Sequence, residues 1–299
     1  MAIKSEMLRS FAAVAEAGNL VDAAARLGRT PSAVSMTIKQ LQDQLAEPLF
    51  ASDRKNQLTA FGVFVLEQAQ TEIAQHDQTR RAISGFASYG SDLIQIAAVP
   101  SVAGGILPRA ISTFLHKHPK VRIEIRDMES AAIVRGVHEG AFDIGIATAP
   151  DSMLARARQT LCTDPFGIIC ARDHPLAQMT GPVTWSILRG ETFIMNPLAA
   201  TVTDPTFLAL TKQSRLTAHN TLSLLSLVQA GAGVTVLPKL VTHMAWQPVH
   251  FLPVQDLTAQ RKIDILHAPA AQITPLIHDL CADIHAAAVP LNAARTTAP

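Results

Sequence analysis

The sequence lacks any long apolar run, and this absence excludes a membrane-spanning helix. No stretch reaches the roughly 18 apolar residues that such a helix requires. An excess of charge of one sign is also missing, because 25 Lys and Arg stand against 24 Asp and Glu, a formal net charge of +1. Total charge therefore gives no argument for nucleic-acid binding. Residues 1–10 contain no hydrophobic leader, so we expect no signal peptide and a cytoplasmic protein.

Cysteine and aromatic residues are scarce. The cysteines, Cys162, Cys170 and Cys281, have no metal-type spacing, and an odd number does not make a disulfide framework. We expect buried thiols and no metal site, with a redox-sensing Cys162–Cys170 pair as the alternative. Aromatic residues make up 5% of the chain, whereas alanine is frequent, which favours helices with small side chains. A chain of 299 residues with 48% hydrophobic side chains predicts two or three globular domains.

The first 45 residues predict three short helices. Apolar residues recur at helical spacing in residues 7–17, Gly18 ends that helix, and Asn19 is a good cap for a second helix over residues 20–27. A third helix begins with Thr30 as its cap and Pro31 in its first turn. Its outer face is small, polar and basic, which is typical of a helix-turn-helix whose second helix enters the major groove. The alternative is a three-helix bundle with a solvated face.

The residue pattern of this segment resembles the N-terminal signature of the LysR-type transcriptional regulators. The matching residues are Phe11-Ala-Ala-Val14, Ala23-Ala24, Leu27, Pro31-Ser-Ala-Val-Ser35, Ile38-Lys39, Leu41, Pro48-Leu49-Phe50, Leu58-Thr59 and Gly62. The resemblance implies an all-α winged helix-turn-helix over residues 1–59, with a wing over residues 49–58. It also implies that double-stranded DNA is a partner and that no catalytic residue is needed.

Carried over position by position, the resemblance gives a set of DNA-facing residues: Thr30, Pro31, Ser32, Ser35, Met36, Lys39 and, in the wing, Arg54. The two serines would donate to phosphates or base edges, and Lys39 would contact a phosphate. Several positions depart from the family pattern. Met36 stands where a long polar or basic residue is usual, Gln42 where glutamate is usual, Ala46 where glycine is usual and Ser52 where arginine is usual, and the wing looks about one residue short.

Residues 60–90 predict one long linker helix. Apolar residues recur near heptad spacing, interrupted by His76 and Arg80, through Leu66, Ala69, Ile73, His76, Arg80, Ile83 and Ala87. A seam of this kind needs a partner, so we expect a dimer through this helix. The alternative is a helix packed on its own domain. The family resemblance implies a tetramer built as a dimer of dimers, and RNA polymerase as a further partner.

The remainder of the chain predicts α/β structure. Strands are expected at residues 93–99, 121–126 and 144–147, with helices at 106–118 and 131–139 between them, an order typical of a parallel sheet. A second cycle follows, with strands at 166–170, 193–195, 234–237 and 263–267 and helices from about 204 and over 274–287. Two halves of similar size suggest a ligand cleft between them.

This second part also resembles the family, through its effector domain. The matching residues are Ile106-Leu-Pro108, His118-Pro119, Val121, Asp143-Ile-Gly-Ile146, Asp173-His-Pro-Leu-Ala177, Leu227-Val-Gln-Ala-Gly231 and Leu237-Pro238. The resemblance implies two α/β subdomains of periplasmic-binding-protein-like type. Subdomain 1 would comprise residues 91–164 and 268–290, and subdomain 2 residues 165–267. Residues 291–299 would form a disordered tail.

Candidate effector-binding residues follow the strand ends: Pro100, Ser101, Val102, Ser130, Thr148, Asn196, His219 and Thr221. Small residues after the first strand would let a ligand approach the N–H groups that open the next helix, which favours an anionic, organic-acid-like effector. Ser101 is the strongest single candidate. A cap or turn role is the alternative for each residue, and Ser130, Asn196 and Thr221 taken singly suit it equally well.

Three rival functions remain open. An enzyme on the same two-lobed fold would need a catalytic motif, but the sequence contains no Gly-x-Ser-x-Gly, His-Glu-x-x-His, P-loop or strand-linked Gly-x-Gly-x-x-Gly pattern. An exported binding protein would lack the N-terminal helices. A thiol-based redox regulator of the same family would use Cys162 or Cys170. We expect a DNA-binding regulator without a cofactor, controlled by a small molecule.

Overall fold

A computed structural model describes residues 3–51, 55, 57–89, 93–150, 158–212, 214–244, 249–267 and 274–293. The chain divides into two compact units, residues 1–92 together with 135–141, and residues 93–134 together with 142–299. None of the described helices is both long enough and apolar enough to cross a membrane.

Four helices build the first unit: α1 (Ser5–Ala17), α2 (Leu20–Leu27), α3 (Pro31–Leu45) and α4 (Ala60–Tyr89). The predicted caps form. Gly18 ends α1 at φ 68°, the Asn19 side chain accepts from the backbone N–H of Asp22, and the Thr30 side chain accepts from that of Ala33. Each cap satisfies backbone groups that a helix end leaves unpaired, which fixes where the three short helices begin and end.

The core of this unit is built from the apolar faces of the short helices. Phe11, Val14, Ile38 and Leu41 are fully buried. Burial of each such large side chain stabilises the unit by about 1.5–3 kcal/mol. Phe50 packs edge-on against Phe11 and pairs across an antiparallel bridge with Leu58, so the described part of the predicted wing is present.

The linker helix α4 uses its first half inside its own unit. It contains 30 residues, a length of about 45 Å. Ala69 is buried in the core, and Leu66 and Ile73 pack against that core. These three seam residues therefore contact the core of their own unit. Ile83, farther along the seam, is 65% exposed.

The described residues of the second unit contain nine strands: β1 (Leu93–Ala98), β2 (Arg122–Asp127), β3 (Ile144–Ala147), β4 (Arg158–Cys170), β5 (Ile194–Met195), β6 (Leu216–Thr217), β7 (Thr235–Pro238), β8 (His250–Pro253) and β9 (Gln260–His267). Seven form one sheet in the order β2-β1-β3-β9-β4-β7, with β8 also paired with β4, and β5 and β6 form a small second sheet. The strands β1, β2 and β3 are parallel, as predicted. The pairs of β9 and β4 are antiparallel, so the large sheet is mixed.

The remaining helices are α5 (Pro100–Gly105), α6 (Leu107–Lys117), α7 (Ser130–His138), α8 (Pro205–Thr211), α9 (Thr221–Gln229) and α10 (Pro275–Ala293). Short 3₁₀ helices occur at Pro175–Gln178, Trp185–Leu188, Leu198–Thr201 and Lys239–His243. We call the layer of β1–β3, β9, the first half of β4, α5, α6, residues 130–134 of α7 and α10 the first lobe. The second half of β4 with β5–β8, α8 and α9 is the second lobe, with its own buried clusters.

Two strands join the lobes, and their bounds differ from the prediction. Residues 158–165 of β4 pair with β9, whereas residues 166–170 pair with β7 and β8, so one strand serves both lobes. The crossing near Asp164 was expected. The return was expected near residue 268, but β9 pairs with β3 and therefore belongs to the first lobe. The sequence predicts this strand only from residue 263, because Gln260, Arg261 and Lys262 are polar or charged and interrupt the apolar pattern at its start.

Candidate DNA-facing helix and effector cavity

The outer face of α3 carries the residues that the sequence singled out. Pro31, Ser32, Met36 and Lys39 are exposed, and Ser35 is half-buried. The hydroxyls of Thr30 and Ser32 lie 3.2 Å apart. The first turn of α3 contains no acidic residue, so its partial positive charge is not offset locally. Arg54 lies outside the described residues.

Two departures from the family pattern have a structural explanation. Oε1 of Gln42 accepts a hydrogen bond of 3.0 Å from the backbone N–H of Leu49. A neutral amide oxygen therefore provides the acceptor for the N–H group at the start of the wing. Ala46 ends α3 in the left-handed region at φ 56°, a conformation that favours glycine. Met36 is 62% exposed on the outer face of α3, where it offers only apolar contact.

A cavity of about 700 Å³ opens in the second unit, a size that suits a small organic molecule. Six of the eight predicted effector residues line it: Pro100, Ser130, Thr148, Asn196, His219 and Thr221. They come from strand ends and helix starts of both lobes. The topology therefore brings together residues that are up to 121 positions apart in the chain, from Pro100 to Thr221.

Ser130 and Thr148 form a linked pair at one side of the cavity. The Ser130 hydroxyl accepts a hydrogen bond of 3.2 Å from the backbone N–H of Thr148. The Thr148 hydroxyl oxygen is buried and has no hydrogen-bond partner in the described chain. A buried hydroxyl without a partner costs free energy, so this group is suited to bind a polar atom of a ligand.

Asn196 has its polar atoms occupied inside the protein. Its side-chain NH₂ donates to the Thr235 hydroxyl at 2.9 Å and to the Val236 carbonyl at 3.1 Å, and its oxygen accepts from the N–H of Ala199. These bonds connect β5, β7 and the 3₁₀ helix Leu198–Thr201. The alternative of a structural role suits Asn196 well, because its side chain holds the cavity wall in place.

The start of α9 forms the opposite side. The Asn220 oxygen caps the helix by accepting from the N–H groups of Leu222 and Ser223. Thr221 is buried and His219 is exposed. The capping residue is thus Asn220, which leaves the side chains of His219 and Thr221 available at the cavity.

Ser101 and Val102 do not lie among the residues that line the described cavity. Both are buried in α5, and the Ser101 hydroxyl accepts a hydrogen bond of 2.6 Å from Nη2 of Arg261. The small residues that follow serve packing rather than ligand approach. A β-carbon on Gly104 would lie 3.0 Å from the Met244 side chain, so the glycine lets α5 approach the residue that follows the 3₁₀ helix Lys239–His243.

Arg261 is the site residue that the sequence did not reveal. It lies directly opposite Asp164 on β9 and β4, and both side chains are buried. Nε and Nη2 of Arg261 donate to Oδ2 of Asp164 at 3.1 and 2.8 Å. Oδ1 of Asp164 accepts from the N–H of Leu240 in the second lobe. The only signal was a charged residue in an apolar strand, and its partner lies 97 positions away.

Two family models match the chain. A model described as "LysR substrate binding domain" matches residues 88–288, and one described as "Bacterial regulatory helix-turn-helix protein, lysR family" matches residues 5–63. The chain belongs to the LysR family of transcriptional regulators. The predicted family, winged helix-turn-helix and α/β effector domain are thereby confirmed, and the relatives are named regulators rather than enzymes.

Individual relatives cover most of this LysR-type chain. The transcriptional regulator CatR of Pseudomonas putida is 29% identical over 283 residues, 90% of this chain and 94% of CatR. The crystal structure of full-length BenM has a TM-score of 0.53 at 24% identity, covering 97% of this chain and 98% of BenM. The effector-binding domain of BenM with its effector benzoate has a TM-score of 0.53 at 24% identity, covering 70% and 96%.

The charges around the cavity of this LysR-type chain are mixed. Asp127, Glu129, Arg261 and Lys262 all line it, and the Arg261 charge is balanced by Asp164. Asp127, Glu129 and Lys262 are exposed, so water and salt weaken their effect. Burial lowers the pKa of His243, with a smaller effect of the same sign from Lys239 and an opposite effect from Asp164.

The geometry of β4 argues against a Cys162–Cys170 redox pair, the alternative to the buried thiols that the sequence predicts. Both cysteines lie on this one strand, eight positions apart, which corresponds to about 26 Å. A disulfide needs α-carbons within about 7 Å. Cys170 is fully buried, and burial, aided by the charge of Glu191, raises the pKa of its thiol to about 11.

Proposed function

We propose that this LysR-type regulator binds DNA through the start of α3 and responds to a small carboxylate bound in the cavity. The unpartnered Thr148 hydroxyl carries the second half of this proposal. A carboxylate oxygen would accept a hydrogen bond from this hydroxyl and so provide the partner that the buried group lacks within the described chain. The starts of α7 and α9 also border the cavity, and helix N-termini attract anions.

The DNA-facing set is proposed as Thr30, Pro31, Ser32, Ser35, Met36, Lys39 and Arg54. Serine hydroxyls and the open first turn of α3 suit phosphate contacts, and exposed Met36 suits the methyl group of thymine. Self-association through α4, assembly into a tetramer and contact with RNA polymerase complete the proposal. The exposed apolar side chains Val63, Phe64 and Ile83 support pairing through α4.

A ligand screen on the full-length protein tests the effector class. The panel contains monocarboxylates from acetate to benzoate, each with its primary amide as an uncharged match. We expect at least one carboxylate to raise the melting temperature in a concentration-dependent way, because a ligand that binds only the folded state stabilises it. The matched amide should have a smaller effect. Stabilisation by amides and acids alike, or by none of the acids, would contradict a carboxylate effector.

A Thr148→Val variant is the matched test of the site. Valine keeps the shape of threonine and removes the hydroxyl, so the cavity wall should remain intact. We expect carboxylate binding to weaken by about tenfold or more, the loss of one hydrogen bond to a charged group. Thr160→Val, which removes a hydroxyl bonded to Asp264 instead, should leave the affinity for the carboxylate unchanged.

A further inference from the structure

Arg261 combines burial with unused hydrogen-bonding capacity. Its exposed fraction is only 7%, yet it lines the effector cavity. A guanidinium has five N–H donors. Three of them serve Asp164 and Ser101 through Nε and Nη2. The Nη1 group donates to no atom of the described chain.

Asp164 and Ser101 hold this guanidinium in one orientation. Asp164 is 2% exposed and receives two donors on one oxygen, while its other oxygen is fixed by the N–H of Leu240. Ser101 accepts from Nη2 on the other side. A guanidinium fixed in this way is preorganised, so binding a further anion requires little loss of side-chain freedom.

Arg261 and the unpartnered Thr148 both line the cavity. Thr148 directly follows Ala147, the last residue of β3, which lies opposite Asp264 of β9. Arg261 lies three residues before Asp264 on the same strand. A hydroxyl donor and a cationic donor therefore border one cavity from neighbouring parts of the sheet.

We propose that Arg261 anchors the carboxylate of the effector through Nη1, with Asp164 and Ser101 as its positioning residues. This inference rests on the proposed carboxylate effector. It assigns Ser101 an indirect role, since its hydroxyl orients Arg261 instead of touching the ligand. Through Nη1 the guanidinium would donate a charge-assisted hydrogen bond to a carboxylate oxygen, in an orientation that Asp164 and Ser101 fix and that a flexible ammonium does not keep.

The test uses the full-length protein and the panel carboxylate that stabilises the wild type most, paired with its primary amide. Arg261→Lys keeps a positive charge opposite Asp164 but loses the planar fork. We expect its affinity for the carboxylate, measured by calorimetry, to fall about tenfold or more, with little change for the amide. Lys262→Gln, which removes the exposed neighbouring charge, should change either affinity by about threefold or less.

Loss of Arg261 alone would leave the buried charge of Asp164 unpaired and could unfold the protein. A second variant avoids this problem. Asp164→Asn/Arg261→Gln removes both charges together, and melting followed by circular dichroism monitors its fold. We expect the acid-to-amide affinity ratio to fall towards one. Ser101→Ala should lower the same ratio by a smaller factor, a change that a purely structural role would not cause.

The outcomes separate the two proposals. If a carboxylate binds wild type and Arg261→Lys equally, the anchor is wrong while the carboxylate effector stands. If acid and amide lose affinity equally in the variants, Arg261 has only a structural role and the inference is overturned. If no carboxylate binds the wild type, the proposed function fails and the inference fails with it.

Discussion

Gly62 of α4 lies against the backbone of Leu49, so closely that a β-carbon at position 62 would stand 2.0 Å from the Leu49 carbonyl oxygen. This carbonyl also accepts from the N–H of Thr59, and the N–H of Leu49 is held by Gln42. The start of α4 is therefore locked onto the segment that leaves α3. Gly62 is one of the residues that match the family pattern, and this close contact explains why a larger residue would not fit there.

Gly62→Ala should destabilise the protein. In an unobstructed helix, replacing glycine by alanine stabilises by about 0.5–1 kcal/mol. Here the contact is with backbone, which cannot rotate away, so we expect a net loss of about 2–3 kcal/mol in the free energy of unfolding. Urea unfolding followed by circular dichroism measures it. Glu67→Ala, an exposed position of the same helix, should change stability by less than about 0.5 kcal/mol. Equal stability of Gly62→Ala and wild type would contradict the close approach.

Ala46→Gly should have the opposite effect. Ala46 ends α3 at φ 56°, where an L side chain is strained and glycine is not. We expect stabilisation by about 1 kcal/mol, observed as a higher urea midpoint. Ala25→Gly, at an exposed interior position of α2, should instead destabilise by about 0.5–1 kcal/mol. If both substitutions destabilise, the left-handed end of α3 is not its conformation in solution.

Cys170 should make stability fall at alkaline pH. Burial raises the pKa of its folded thiol from 9.0 to about 11. Below pH 9 the thiol is protonated in both states, so its contribution to stability is fully present. Between about pH 9 and about 11 the unfolded chain loses the proton first, so stability decreases as pH rises. In Cys170→Ala the alkaline slope should become shallower, and Cys281, whose pKa burial also raises to about 11, should account for part of the slope that remains. An unchanged alkaline slope would mean that the thiol is not the titrating group.

Lys39→Ala should weaken binding to every DNA sequence. Lys39 is exposed on the proposed DNA-facing side of α3, where it would neutralise one phosphate. We expect the slope of log affinity against log salt to become shallower by about 1. Fluorescence anisotropy with a duplex of random sequence and with a selected operator gives both slopes. Lys120→Ala, an exposed lysine of the second unit, is the control and should leave the slope unchanged. An effect on only one of the two duplexes would point to a base contact.

Local signals in the sequence predicted much of the fold. Asn19, Thr30 and Gly18 marked helix ends that the structure confirms, because caps act through neighbours a few residues away. The first half of β4 escaped prediction because Arg158 and Asp164 interrupt its apolar pattern, and β8 escaped because four residues are too few to show one. Their places depend on partners far along the chain.

The candidate site likewise contains residues that local sequence predicted and residues that only the structure revealed. Strand ends and helix starts predicted Ser130, Thr148 and Thr221 at the cavity, since in such folds these positions converge. Ser101 looked equally suitable, but its hydroxyl is bound to Arg261, 160 positions later. No local sequence pattern near Ser101 or Arg261 predicts this hydrogen bond. A buried ion pair across two strands becomes visible only once the register is known.

The shared strand β4 also affects the order in which the chain can fold during synthesis. Residues 166–259 form the second lobe without interruption, so this lobe is complete as soon as its last residue is made. The first lobe begins earlier in the chain but lacks β9 and α10 until near the end. The usual order, in which N-terminal parts fold first, is therefore reversed within this unit. We expect the first lobe to expose the edges of β3 and β4 until β9 arrives, which makes it the part of the nascent chain most in need of a chaperone.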